Sequence, residues 1–154
     1  MTTTEFKRPE SILLVIYTRC GDALLLKRCT PPLGVWQSVS GSLHWDEQPE
    51  TAARRELAEE TGIVHTGALA ATGVVNRFEI VPEARHLYAP DTVINIEHVY
   101  TLELAEQLPV HIDPAEHSAY RWLPVSEAVD QVWSWSNKAA LKSVQERFPG
   151  KIVD

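Results

Sequence analysis

The apolar positions of this chain fall into short runs whose period changes along its length. Residues 11–18, SILLVIYT, and 23–28, ALLLKR, are aliphatic stretches separated by the turn-like RCGD, which predicts two strands in a hairpin and the start of a meander. After the loop CTPPLG, residues 35–40, VWQSVS, alternate well enough for one short strand that delivers the chain to Gly41. At Pro49 the character changes. Pro49 suits a first helical position, TAARRELAEE is built of strong helix formers, and Gly62 supplies the stop, so a helix is expected over 49–61 behind a weak N-cap at Gln48. Residues 68–80 and 94–104 read as longer strands, and the segment VPEARHLYAPDT between them is a candidate lid. A further strand at 118–123, SAYRWL, precedes two terminal helices near 126–132 and 137–148. The order of elements predicts an α/β fold, a mixed sheet in layers with helices on its faces. No repeat, low-complexity stretch or linker interrupts it, so one domain is expected over 1–154.

Composition narrows the partners. A formal charge of −7 over 154 residues argues against broad contact with nucleic acid or anionic lipid, and an acidic ligand would need a cation to bridge it. The longest apolar run, 11–17, is far short of a membrane span, and no signal-like pattern opens the chain, so a cytoplasmic protein is expected. Cys20 and Cys29 are the two cysteines, without a CxxC pair, and read as inert thiols. Nothing in the pattern specifies an oligomeric state.

The unusual feature is the acidic turn. Glu56, Glu59 and Glu60 stand at i, i+3 and i+4, neighbours on one helix surface, where like charges oppose helix formation by a few tenths of a kcal/mol each, roughly. Solvent screening or a bound cation would relieve them. Glu47 precedes the helix, and Gly41 stands where its backbone can turn sharply and aim a carbonyl at the same turn. Mg²⁺ takes oxygen ligands and keeps several waters, so glutamates can hold it with room left for phosphate oxygens and an attacking water. Arg55 can reach Glu59 one turn on or Glu47 behind, which suits it to orienting a carboxylate. The histidines show no HExxH spacing and no GxxxxGK loop occurs, so zinc-hydrolase and P-loop chemistry lack support.

Gly41, Glu47, Arg55, Glu56, Leu57, Glu59, Glu60, Gly62 and Ile63 fill every fixed position of a pattern that resembles the Nudix hydrolase signature, G-x5-E-x7-R-E-apolar-x-E-E-x-G-apolar. The resemblance implies a mixed sheet between helices, a loop-helix-loop that binds Mg²⁺ or Mn²⁺, and cleavage of diphosphate linkages in small molecules. Beyond the signature, KRPESILLVIY, WQSVSGS, RHLYAP, EHSAYRWL and SWSN are similar, in order, to a branch of that family acting on a pterin triphosphate in folate biosynthesis. That likeness implies hydrolysis of 7,8-dihydroneopterin triphosphate to the monophosphate and pyrophosphate. The alternatives are a pyrophosphatase for a nucleoside triphosphate such as dATP or an oxidised nucleotide, and a non-catalytic ligand-sensing module.

The resemblance also implies site residues. Glu56 and Glu60 are expected as metal ligands, Glu116 as a third ligand or the base, and Glu59 as a ligand or base. Substrate contacts are expected at Lys7, Arg28, Ser40, Phe78, Glu79, Ile80, Val81 and Ser134. Lys7 and Arg28 can pair with phosphate oxygens, Ser40 and Ser134 can offer hydroxyls, and Phe78 can offer an apolar face to a flat bicyclic ring.

Overall fold

Strand β1 (Glu10–Thr18) is the axis of a seven-stranded mixed sheet. It runs parallel to β6 (Ile94–Leu104) along its whole length, from Glu10↔Ile96 to Thr18↔Leu104. On its other side it pairs antiparallel with β2 (Asp22–Arg28) at Tyr17↔Ala23 and with β4 (Val39–Ser42) from Leu14↔Val39 to Ser11↔Ser42. β3 (Trp36–Gln37) and β7 (His117–Pro124) both pair with β2, and β5 (Leu69–Glu79) forms the far edge against β6. The computed structural model describes residues 5–64 and 67–149, so the ends of the domain expected over 1–154 lie outside the described residues.

The continuous apolarity of β1 has a direct cause, because both faces are covered. Ile12, Leu14 and Ile16 join Ala52, Ala53 and Leu57 of helix α1 (Pro49–Thr61) in one core. Val15 and Tyr17 join Val125, Val129 and Leu141, from α2 (Val125–Gln131) and α3 (Trp135–Gln145), in another. Helix α1 has the expected bounds. Gln48 makes no side-chain capping bond, and Gly62 ends the helix at φ 75°, its N–H bonded to the Ala58 carbonyl.

Three expectations need correction, in the meander, the strand VWQSVS and the bounds of the last helix. The hairpin forms, but no meander follows, since the long neighbour of β1 is the distant β6 in parallel. VWQSVS makes two strands, because the chain leaves β2 and crosses to β1 at Ser38. Ser38 is buried there, and Asn137 satisfies it: the Ser38 N–H donates to Asn137 Oδ1 at 2.9 Å, and Asn137 Nδ2 donates to Ser38 Oγ at 2.9 Å. The segment read as a lid contains a 3₁₀ turn at Pro82–Leu87, bracketed by Ile80 N–H to the Val93 carbonyl and anchored by Lys7 N–H to the Leu87 carbonyl, both 2.8 Å. Helix α3 begins before Asn137 because Ser134 caps it, accepting from Asn137 N–H at 3.2 Å, and it closes before Phe148. Among the described residues no helix is long and apolar enough to cross a membrane. Both cysteines are free.

Candidate active site

Helix α1 lies against β4 so that its acidic turn meets the end of the sheet. Glu60 is 1% exposed and Glu56 8%, whereas Glu59 stands out in solvent. Arg55 links all the box carboxylates except Glu60. Its Nε and Nη2 grip Glu47 in a two-point pair, both at 2.8 Å, and Nη1 donates to Glu56 Oε1 at 2.7 Å and Glu59 Oε2 at 3.0 Å. A further bond from Nη2 to the Ser42 carbonyl, 3.0 Å, ties the guanidinium to β4. The Arg55 hydrogen bonds hold the Glu47 carboxyl down from 4.5 to about 2. Glu47 also accepts from His44 N–H, and Arg8 Nη1 gathers the carbonyls of His44, Trp45 and Glu47 at 2.9–3.0 Å, so the loop before α1 is pinned from both sides. Sequence reasoning missed Arg8, which carries no motif of its own.

Gly41 has a different role from the one expected. It lies within β4, paired with Ile12, and a Cβ there would stand 2.3 Å from Glu56 Cδ and 2.4 Å from Glu56 Oε1. The glycine makes room for a carboxylate rather than a sharp bend.

Glu60 carries the strongest electrostatic anomaly. Burial first, then the hydrogen bond and charge of Glu56, then the charge of Glu116, push its carboxyl well above the ordinary range, against a backbone hydrogen bond from Ser40. Its Oε1 is buried without a hydrogen-bond partner, and His117 Nε2 is 3.8 Å from it. Burial lowers the His117 imidazole, as does the nearby Arg28. Glu116 sits in the loop before β7, where loss of water contact and the charges of Glu56, Asp113 and Glu59 raise its carboxyl. Glu56, Glu60 and Glu116 therefore share one electrostatic neighbourhood, although they come from a helix and a distant loop.

A cationic rim faces them. Lys7 feels Glu56 and Glu116, which oppose the lowering that desolvation and Arg28 impose on its ammonium. It also stands over the Tyr88 ring, 5.7 Å from the centroid. Arg28 is turned into the proline-rich loop, donating to the Pro31 carbonyl at 2.8 Å and Thr30 Oγ1 at 3.0 Å. Ser40 Oγ accepts from Gln37 Nε2 at 3.3 Å. A depression of about 780 Å³ beside this rim is lined by Phe6, Lys7, Ser42, Trp45 and Glu47.

The other expected contacts separate. Phe78 is half-buried on β5 opposite Asn95, Glu79 and Val81 are exposed, and Ile80 is 4% exposed with its N–H already bonded to Val93, so Ile80 packs inward. The Ser134 hydroxyl is engaged as a helix cap.

Do these residues suit a divalent cation? Among the described residues, no three His, Cys, Asp or Glu side chains close on one point, because Arg55 draws Glu56 and Glu59 to itself and Glu116 stands on a loop. The donor set fits all the same. Three carboxylates repel one another around a buried oxygen that no protein group satisfies, which is what a hard cation relieves.

The NUDIX domain profile matches residues 7–143. The chain is 35% identical over 140 residues to the dihydroneopterin triphosphate diphosphatase of Escherichia coli (strain K12), covering 89% of this chain and 92% of that protein. It is 32% identical over 142 residues to the protein of the same name from Haemophilus influenzae, covering 90% and 88%. The fold matches the structure of the E. coli dihydroneopterin triphosphate pyrophosphohydrolase with a TM-score of 0.82 at 37% identity, over 90% of this chain and 95% of that one.

Proposed function

This chain belongs to the NUDIX family, and from that premise we propose that it is a divalent-metal-dependent diphosphatase hydrolysing 7,8-dihydroneopterin triphosphate to the monophosphate and pyrophosphate. The reaction class rests on the buried, unpartnered Glu60 oxygen beside Glu56 and Glu116. The substrate rests on the two relatives, which carry that activity in their names across about nine-tenths of this chain.

Each residue has a distinct task. Glu56, Glu60 and Glu116 would hold the ion. Bound there, Mg²⁺, or Mn²⁺ in its place, would offset the charge of the triphosphate and make a coordinated water more acidic. Arg55 keeps Glu56 and Glu59 in place with a guanidinium that stays charged at any working pH. Lys7 would meet phosphate oxygens, and Arg28, held in its loop by Thr30 and Pro31, would add positive charge beside it, which a protein of charge −7 needs locally. Water adds to a phosphorus, one P–O–P bridge breaks, and the proton passes to a carboxylate, Glu59 or Glu116. Both stand exposed to an incoming water, and Glu59 is in addition held by Arg55.

The test is a panel of triphosphates with Mg²⁺, scored by pyrophosphate release. Dihydroneopterin triphosphate is expected to lead, and a tenfold preference for dATP, about 1.4 kcal/mol in transition-state binding, would overturn the pterin assignment. Glu60→Gln is expected to cut kcat by roughly 10²-fold or more with the fold retained, since a bound cation contributes several kcal/mol of charge stabilisation. Full turnover in excess chelator would refute the metal role.

A further inference from the structure

Strand β6 carries two buried polar side chains that neither the core nor the proposed chemistry explains. Glu97 is 7% exposed, and its carboxylate is held by neutral donors, Asn76 Nδ2 at 3.1 Å and the Ser136 hydroxyl. No cation pairs with it among the described residues, and burial raises its carboxyl. Two residues earlier, Asn95 is 5% exposed: its Nδ2 donates to Ser11 Oγ at 2.8 Å, and its Oδ1 is buried with no partner. A buried carboxylate without a cation and a buried amide with one end free are both unfavourable unless something else completes them.

The register brings these groups together. β5 and β6 pair at Asn76↔Glu97 and Phe78↔Asn95, and directly opposed side chains share a face. Asn76, Phe78, Asn95 and Glu97 therefore form a two-by-two patch, with Ser136 at the start of α3 against one corner. The patch is continuous with the cationic rim. Asn95 is bonded to Ser11, Ser11 is paired with Ser42, Ser42 is hydrogen-bonded to Tyr88, and Lys7 stands over the Tyr88 ring.

We infer that this patch reads the ring of the substrate, with Glu97 accepting from the ring N–H and the exocyclic amine of a 2-amino-4-oxopyrimidine edge, Asn95 meeting the neighbouring ring atom, and Phe78 lying against its flat face. The inference rests on the proposed hydrolysis of a ring-bearing triphosphate and specifies how the ring is chosen. A carboxylate presents two acceptors side by side, matching the paired donors of that edge, and an amide can turn either its oxygen or its nitrogen outward. Dihydropterins and guanine share this edge, adenine lacks it, and hypoxanthine lacks only the amine. A site built to hydrogen-bond a group rejects the analogue without it, because its own buried acceptor is then left unmatched.

The experiment uses the full chain with Mg²⁺. GTP and ITP, which differ only in the 2-amino group, are compared as inhibitors of dihydroneopterin triphosphate hydrolysis, and neopterin binding is followed by its fluorescence. Wild type is expected to bind GTP at least tenfold tighter than ITP. Glu97→Gln, which replaces one acceptor by an amide NH₂ donor facing the ring's own donors, is expected to raise KM for dihydroneopterin triphosphate at least tenfold with kcat within threefold, and to bring GTP and ITP to equal strength. Asn95→Ser is expected to weaken neopterin binding and to serve should the first variant misfold. Equal inhibition by GTP and ITP in wild type, or an unchanged GTP/ITP ratio and KM in Glu97→Gln, would overturn the inference. Absence of pterin triphosphate turnover in wild type would instead overturn the proposed reaction, and neopterin binding by the two variants would then decide the patch by itself.

Discussion

The carboxylate turn and the β5–β6 patch are two halves of one site built by opposite means. In the turn, Glu47, Arg55, Glu56, Glu59 and Glu60 lie within one loop and helix, and a single guanidinium engages all but Glu60. In the patch, Ser11, Asn76, Asn95, Glu97 and Ser136 come from four separate elements and meet only through sheet register and the seating of α3. The turn is charged and tied through one guanidinium, while the patch is held by neutral donors; each keeps one buried oxygen without a partner, Glu60 Oε1 in the turn and Asn95 Oδ1 in the patch. The first arrangement suits a task that tolerates no variation in geometry, the second suits choosing among rings.

Gly41→Ala is the most severe way to break the turn without touching a charge. The new Cβ would stand 2.3 Å from Glu56 Cδ, so the carboxylate must leave its place while Arg55 still pulls on it. The displaced atoms end a flexible side chain, so the fold should survive. Turnover is expected to fall by roughly 10²-fold or more, since a misplacement of about 1 Å at reacting groups costs that much. Activity and the thermal midpoint measured together check this. A fall in activity that merely follows lost folded protein would remove the contrast between the two regions.

Glu47→Gln probes the same turn through pH. The Glu47 carboxyl is held at about 2 instead of 4.5, so its contribution is complete above pH 4.5 and is lost as pH falls toward 2. At about 1.4 kcal/mol per pH unit the contribution is at most roughly 3 kcal/mol. Denaturant titrations at pH 7 and pH 2.5 should show wild type losing most of this amount and Glu47→Gln losing none of it, so that the two converge in acid. Parallel curves would mean that the Arg55 pair does not support the turn.

The turn was legible in the sequence because its parts are local. Helical spacing places Glu56 beside Glu60, and Pro49 and Gly62 bound the helix by backbone constraints of their own. Even there the purpose of Gly41 was misread, since a close approach by Glu56 and a bend both call for glycine. Of the patch only Phe78 was legible. Asn95 and Glu97 sit in an alternating strand, INIEHVYTLEL, where polar residues read as the solvent face, and their burial depends on neighbours from other elements, Ser11 and Asn76 among them. The split of VWQSVS was hidden for a similar reason: it depends on which strand each half pairs with, a fact held by β1, β2 and Asn137 rather than by the segment itself.

Asn137→Ala carries the comparison to the scaffold shared by both halves. Its amide satisfies Ser38 where the chain crosses from β2 to β1, and its N–H is capped by Ser134, so one side chain fixes α3 to the strand pair that leads into Gly41. Truncation leaves the Ser38 N–H buried without an acceptor, while the Ser38 hydroxyl can rotate to another partner. One orphaned buried donor costs about 1–3 kcal/mol. A loss near 2 kcal/mol is therefore expected, a fall of about 4–8 °C in thermal midpoint for a chain of this size. The carboxylate turn keeps its own ties through Arg55, Arg8 and Glu47, so divalent-cation binding should be little changed. The patch depends on where α3 sits, so KM for the pterin triphosphate should rise. A variant that weakened the metal more than the ring would show that the two halves lean on the same support.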